Sequence, residues 1–484
     1  MAETATPPPA TVAVLGIPFH NVTFQEAVQW VRARILSRQP AYIATVNMDF
    51  VMQAWRDPEL QRILIEADLV VADGIPIVWL SGLLGPRLKE RVTGSDLVPM
   101  LAELVRDHGF SLFHLGGAPG VAEKAAATLV RRFPGLRIAG CYSPPYADVL
   151  HMNHADILER LRKANPDLVL VAFGSPKQEK FAKMHGRHWG VPVAIGVGGS
   201  LDFLAGAQKR APKIVQRLAL EWLWRMASDP PRLFRRYMGN LAFFGRTLLQ
   251  LLWVRCRPDR AEAPVSVDSA VRRAAHVEPC IRLACASHAE TFCASVLEKA
   301  AGRPVVLDMS GVPWLSSLEL GALLRLATRL RRQGQHCILS GAGRRVRRLL
   351  AWCHLTEYLE AGNSDKAILE RIREWEPAFR DGGIRLDPDG RVQITLPLEL
   401  TEANLDSFRR TVEACPDRES VREWVLQASS TSFVDSSALE YFLLLKKQAV
   451  ARGTTLRFAG VRPSVRWIFR LAKVESVLLE PEAR

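Results

Sequence analysis

The chain has 484 residues, room for about three domains of ordinary size. Its 48% hydrophobic and 24% charged residues are those of a globular protein, which excludes disordered and fibrous classes. The net charge of +14 points to anionic partners, and eight cysteines without a C-x-x-C pair argue against a zinc ribbon or a disulfide framework.

The cysteines read as buried reduced thiols of a cytosolic protein. The opening residues, MAETATPPPA, lack the basic start and apolar core of a signal peptide. No run of about 18 uncharged apolar residues follows, so no membrane-spanning helix is expected. The nearest approach, 241–254, is interrupted by Arg246 and Gln250.

Residues 10–205 alternate between short β-branched runs and helical patterns. Strands are expected at 11–17, 41–47, 69–73, 110–117, 137–142, 167–174 and 191–199. Helical patterns lie between them, as at 121–133 and 154–164. Continuously apolar strands separated by helices predict an α/β domain with a mostly parallel sheet.

In such sheets ligands bind beyond the carboxyl ends of the strands. Thr45 and Asn47 end one expected strand, and Asp73 with Gly74 ends another. GGAPG (116–120), GSPKQE (174–179) and GVGGS (196–200) follow three more. The apolar flanks of Asp73 would desolvate its carboxylate and raise its proton affinity, as a general base requires. Asp-Gly is also a common turn dipeptide, and the glycine stretches serve equally as tight turns or phosphate cradles. Neither fits G-x-G-x-x-G, and no Walker A lysine pattern is present. HMNH (151–154) and HGRH (185–188) lack an evident carboxylate or cysteine partner and read as surface histidines rather than metal ligands.

From 206 to 257 the pattern turns helical and basic, punctuated by DPP at 229–231. Between Gly206 and Arg260 there are 12 Lys and Arg against 3 Asp and Glu, interspersed with Trp222, Trp224, Phe234, Tyr237, Phe243, Phe244 and Trp253. This composition suits an anionic membrane surface or a nucleic acid, and also a plain solvated helix face. RPDRAEAPVSVDS (257–269) reads as a linker. The remainder repeats itself. VVLDMSGVPWLSSLELGALLRL (305–326) lies ungapped on WVLQASSTSFVDSSALEYFLLL (424–445), offset by 119 residues. Each unit reads strand, turn, helix, strand, helix, and the units are placed at 268–376 and 383–484.

The ordered set of Thr45-x-Asn47, ADLVVADG (67–74), ERVTGSDL (90–97), GGAPG, GSPKQEKF (174–181), GVGGSLDFLAGAQKRAP (196–212) and EWLWRMASDPPRLFRRY (221–237) resembles the WecG/TagA/CpsF glycosyltransferases. The resemblance spans roughly residues 10–245. It implies a Rossmann-like sheet domain with a basic helical appendage at 206–257. It also implies inverting, metal-free transfer of an N-acetylmannosamine-type sugar from a UDP-sugar to a polyprenyl-diphosphate-linked acceptor, without a cofactor. The expected setting is the cytoplasmic face of the inner membrane. By position, Asp73 is the implied base. Thr45, Asn47, Gly74, Arg91 and Gln178 are the implied substrate-binding residues, and Arg225, Arg232 and Arg235 are the implied appendage arginines. Such a reaction needs a base for the acceptor hydroxyl and charge compensation for the departing diphosphate. Arginines and backbone amides supply the latter where no metal does.

The repeat units resemble STAS domains, small α/β modules that bind partner proteins and in some cases are switched by phosphorylation of the serine that follows an aspartate at a helix start. Here those positions are Asp435 and Ser436, and in the first unit Ser316 and Ser317. The same residues also fit an ordinary helix N-cap. The expectation is therefore a membrane-peripheral transferase with two STAS-like units for regulation or partner binding and no nucleic-acid role. The alternative is a non-enzymatic scaffold that senses a nucleotide sugar.

Overall fold

A computed structural model gives the fold. It describes residues 9–207, 230–256, 275–279, 289–300, 303–310, 312–335, 337–360, 364–375, 384–387, 390–415 and 421–479, with positions 212, 215, 223, 224 and 226 besides.

The first expected strand divides in two. Thr11–Val14 (β1) and Ile17–His20 (β2) form an antiparallel hairpin, turned by Leu15 and Gly16 at φ 54° and 83°. Two consecutive positive φ values make the tight turn that matches strand twist. The hairpin stays outside the main sheet. Its His20 accepts at Nδ1 from the Val70 amide at 2.9 Å, which covers an otherwise open strand edge. Burial, with the charge of Arg325, lowers the His20 pKa to about 3, so the ring stays neutral and able to accept.

The main sheet has six strands: β3 (Ala41–Val46), β4 (Leu69–Ala72), β5 (Ser111–Gly116), β6 (Arg137–Tyr142), β7 (Leu168–Ala172) and β8 (Val193–Gly196). All are parallel, in the order β4-β3-β8-β7-β5-β6. Alternate residues face opposite sides. Ile43, Leu69 and Val71 pack against Trp30, Leu101 and Leu129 of α1 (Phe24–Ser37), α5 (Gly94–Asp107) and α6 (Val121–Arg132). Ala44, Val46 and Val70 pack against Val51, Leu64, Leu161 and Phe181 of α2 (Met48–Ala54), α3 (Pro58–Glu66), α7 (His154–Ala164) and α8 (Lys177–His185). Both faces are thus covered, which is why β4, β7 and β8 read as uninterrupted apolar runs. A further helix, α4 (Ile75–Leu84), follows β4, and a short one, α9 (Ser200–Leu204), follows β8.

The basic segment contains α10 (Pro230–Cys256), whose first residue is a proline, a position where the missing amide costs no hydrogen bond. Phe243 on α10 meets the Trp55 ring edge-on at 5.0 Å, and Gln250 accepts from Trp352 Nε1 at 3.0 Å. The helix is therefore held between the core of the N-terminal α/β domain and the first repeat unit. Phe234, Leu241 and Leu249 on it are exposed. No helix among the described residues is long and apolar enough to cross a membrane.

The first repeat unit has a parallel sheet in the order β11-β10-β9, built from β9 (His276–Pro279), β10 (Val305–Asp308) and β11 (Cys337–Ser340). Its helices are α11 (Ala289–Ala300), α12 (Ser317–Arg332), α13 (Arg344–Trp352) and α14 (Asp365–Trp375). The second has β12 (Ile384–Leu386), β13 (Arg391–Thr395), β15 (Glu423–Gln427) and β17 (Thr455–Ala459) side by side, and a short pair of β14 (Glu399–Leu400) with β16 (Phe433–Val434). Its helices are α15 (Glu402–Glu413), α16 (Ser436–Ala451), α17 (Pro463–Leu471) and α18 (Glu475–Leu478). Helices α12 and α16, and α13 and α17, are displaced by the same 119 residues as the sequence repeat. Asp435 caps α16, its Oδ1 accepting from Ala438 N at 3.0 Å. In the first unit Ser316 caps α12 in a capping box with Glu319, so the cap survives while the carboxylate is lost.

Both units pack onto the N-terminal α/β half. Helix α12 lies against the N-terminal hairpin so closely that a Cβ on Gly321 would stand 2.6 Å from the Thr11 carbonyl oxygen. Ala13 and Ile65 join the apolar core of the first unit. All three parts meet at Glu399, which accepts from Arg62 of α3 at 2.8 Å and from Arg331 of α12 at 2.7 Å.

Candidate active site

The chain leaves β3 toward β4 on one side and β5 toward β6 on the other, and a cleft opens at the carboxyl ends between them. Ligands bind at such reversals in open parallel sheets. The cleft has a volume of about 1670 Å³ and is lined by the ends of β3, β4, β5, β7 and β8.

Thr45, Asn47, Asp73 and Gln178 all line it. Thr45 is 5% exposed and donates through Oγ1 to the Gly196 carbonyl at 2.9 Å, tying β3 to β8. Asn47 caps α2, its Oδ1 accepting from Asp49 N and Phe50 N at 3.0 and 3.2 Å. Asp73 is half-buried, and its amide donates to the Val46 carbonyl at 2.8 Å, which fixes it beside the end of β3. Gly74 begins α4; a Cβ there would sit 3.9 Å from the Asn47 Cβ, so the Asp73-Gly74 turn lies against Asn47.

Gln178 is fully buried. Its Oε1 accepts from Gly198 N at 3.2 Å, and its Nε2 donates to Glu179 Oε1 at 2.8 Å. It holds the loop after β8 from beneath. Tyr42 OH also donates to Glu179, at 3.0 Å. Burial pushes the Glu179 carboxyl above the usual carboxylate range, and burial together with the Glu179 charge pushes the Tyr42 phenol well above its own. The sequence motif drew attention to Gln178 and left its partners Glu179 and Tyr42 unmarked. The buried, non-alternating polar pair in KQE was the available signal.

Other expected residues are not gathered here. Arg91 is half-buried two positions before Thr93, the cap of α5, and does not line the cleft; Ser95, a turn later, does. Arg235 is exposed on α10 and outside the cleft lining. Arg225 lies outside the described residues, as does the side chain of Arg232. The basic segment does reach the cleft, through Trp224. Among the described lining residues the cation is Lys177, which donates to the Ala147 carbonyl at 3.2 Å and lies 3.7 Å from the Tyr146 ring centroid. Gly116, Gly117, Gly198 and Gly199 also line the cleft, where the lack of a side chain lets the backbone come close to a ligand.

The histidines depart from expectation. His154 and His185 are packed together, His154 Nδ1 standing 2.5 Å from His185 Nε2 and His154 Nε2 2.6 Å from the Val149 carbonyl. Phe181 lies against both rings. Helices α7 and α8 close over them, and each ring then finds its partner in the other. Burial lowers the His185 pKa to about 3. His151 and His188 remain exposed, as read. Ser436 is 1% exposed at the contact with α3, where its amide donates to Glu59 Oε1 at 2.5 Å.

An all-parallel sheet covered by helices on both faces, with a polar cleft along its carboxyl edge, defines the doubly wound α/β class. The glycosyl transferase WecG/TagA/CpsF family model matches residues 12–257, and the STAS domain model matches 284–367 and 386–482. Among similar proteins, an N-acetylglucosaminyldiphosphoundecaprenol N-acetyl-beta-D-mannosaminyltransferase of Bacillus spizizenii is 33% identical over 41% of this chain and 75% of its own length. Namesakes from Bacillus subtilis and Staphylococcus aureus are each 30% identical, over 46% and 47% of this chain and 85% and 88% of theirs. The chain belongs to the WecG/TagA/CpsF family and is a glycosyltransferase, carrying STAS domains behind its transferase half.

Proposed function

We propose that the protein transfers an N-acetylmannosamine-type sugar from a UDP-sugar to a polyprenyl-diphosphate-linked acceptor, with inversion and without a metal, in cell-surface polysaccharide synthesis. The observation that carries this is the position of Asp73. Its carboxylate ends β4 at a cleft that also presents Lys177 and two glycine-rich backbones. The acceptor hydroxyl attacks the anomeric carbon and gives its proton to Asp73, while the bond from that carbon to the diphosphate oxygen breaks and UDP departs with the electron pair. Lys177 compensates the leaving charge, and the glycines at 116–117 and 198–199 let the backbone come close to the diphosphate. Thr45, Asn47 and Gly74 shape the donor site, and Gln178 acts through the Gly198 loop. Arg91, Arg225, Arg232 and Arg235 serve the acceptor diphosphate and lipid headgroups around it.

The relatives' acceptor is a lipid diphosphate by name, which supports work at a membrane surface. Exposed Phe234, Leu241 and Leu249 on α10, beside Arg235, suit the cytoplasmic face of an anionic bilayer. The units at 10–205, 206–257, 268–376 and 383–484 then divide as catalysis, membrane contact and two regulatory or partner-binding modules.

The purified full chain, given UDP-sugars and a short polyprenyl-diphosphate-sugar acceptor, should release UDP and extend the acceptor. Asp73→Asn should lose turnover by about 100-fold or more, the usual scale of a general base, and keep its affinity for UDP. An unchanged rate would refute the base assignment, and no transfer by the folded wild type with any donor would refute the activity.

A further inference from the structure

One wall of the cleft is the segment from Ser143 to Ala147, with Met152 beyond it. Between them runs a single turn, Val149–His151. On its inner side this turn is pinned by His154, which donates to the Val149 carbonyl at 2.6 Å. On its outer side Leu150 packs against the transferase core and against the core of the second STAS-like unit at once. Asp148 meets Lys473 of that unit at 3.2 Å.

A second wall begins at α8, whose first residues Lys177 and Gln178 line the cleft. Lys180, about one turn on, bridges Asp57 and Glu59 at 2.8 Å each. Glu59 in turn accepts from the Ser436 amide at the start of α16. Just past the far end of α8, Arg187 and His188 lie 3.5 and 3.3 Å from Glu402. The same module therefore backs both the wall segment and the helix that carries the cleft's cation.

We propose that the second STAS-like unit works in cis as a buttress of the substrate cleft, with Leu150, Lys180 and Glu59 as positioning residues that transmit its docking to Lys177 and the 143–152 wall. The occupant of the module's helix-start surface is this chain's own transferase half. Docked, the module holds binding groups in place; undocked, it frees them. Thr45 stands on a strand paired within the sheet, and Asp73 directly follows another, its amide held by the Val46 carbonyl. Release should weaken substrate retention and leave the chemical step nearly intact. The proposal rests on the transferase reading above for its kinetic part alone.

The test uses the full chain and two variants. Ser436→Glu adds a further carboxylate beside buried Glu59 and Asp435, and Leu150→Ser removes the apolar bridge without adding a buried charge. The second variant keeps the test decisive where the first fails to fold. Amide hydrogen exchange should quicken in 143–152 and 177–185, and KM for the donor should rise roughly three- to tenfold, the scale of one lost hydrogen bond, with kcat within about twofold. Quickened exchange with an unchanged KM, or a fall in kcat at constant KM, would overturn the proposal. So would a folded Leu150→Ser chain whose wall exchanges as slowly as the wild type. Should the wild type turn over no donor, the activity falls, and exchange in these two segments still decides the buttress.

Discussion

Replacing Glu399 by glutamine removes one charge and almost no volume from the point where the three packed parts of the chain meet. Glu399 serves two guanidinium groups, Arg62 at 2.8 Å and Arg331 at 2.7 Å, whose side chains are only 12% and 6% exposed. Each has one further carboxylate, Glu66 at 2.9 Å for Arg62 and Glu360 at 3.3 Å for Arg331. The rings of Phe433 and Tyr358 lie 4.4 and 4.7 Å from the Arg62 and Arg331 guanidinium carbons and leave little room for water. Breaking a buried pair on one side typically costs about 3–5 kcal/mol. The remaining carboxylates and the glutamine oxygen soften the loss, so about 3 kcal/mol is expected here. With a urea dependence of about 1–3 kcal/mol per molar, the transition that separates the modules should move down by about 1–3 M. Tryptophan fluorescence in urea, read alongside hydrogen exchange at the junction, measures this. A multi-domain chain need not unfold in one step, and an early transition confined to the junction is the expected form. An unmoved midpoint with unchanged exchange would show that desolvation of the three charges cancels their attraction.

Asp435 supplies a pH prediction. Burial, reinforced by the charge of Glu59, raises its pKa from 3.8 to about 7. A raised carboxyl binds its proton more tightly when folded, so its contribution to stability is full below about pH 4 and is lost as pH rises toward 7. The slope approaches about 1.4 kcal/mol per pH unit. Asp435→Asn cannot titrate, so its stability relative to the wild type should improve across that window; parallel pH curves would contradict the assignment. Gly196→Ala should cripple the cleft floor, because the added Cβ would stand 2.6 Å from Gln178 Nε2. A loss of about 1–3 kcal/mol in thermal unfolding is expected, with weakened UDP binding by calorimetry, and a variant with wild-type stability would show that the Gln178 cradle yields.

Much of this fold was legible because its signals are local. The strands β4, β7 and β8 show as unbroken apolar runs, since helices cover both faces, while the edge strand β6 keeps an exposed Arg137. The repeat shows at an offset that the helices then keep to the residue. The hairpin was harder. TVAVLGI reads as one strand until Leu15 and Gly16 take positive φ, and nothing in the run marks which edge His20 will cover. At the site, Thr45, Asn47, Asp73 and Gly74 were recognisable as strand-end residues and do meet. Gln178 was recognisable too, but its place beneath the glycine loop depends on Tyr42 and Glu179, which only the packed sheet brings together. Ser436 read as a helix start. That its amide would face Glu59, far back in the chain, is a property of docked surfaces, which carry no periodicity to read.

The N-terminal hairpin also bears on how the molecule is made. Its strands are buried throughout, yet part of what covers them is α12, which begins about 300 residues later at Ser317. At synthesis rates of about 5–20 residues per second, that helix emerges from a ribosome some 15–60 s after the hairpin. For that interval a largely apolar ribbon stands with one side bare, beside a sheet still being assembled. A nascent chain halted before Ser317 should therefore be a chaperone client, and one released past Arg332 should not.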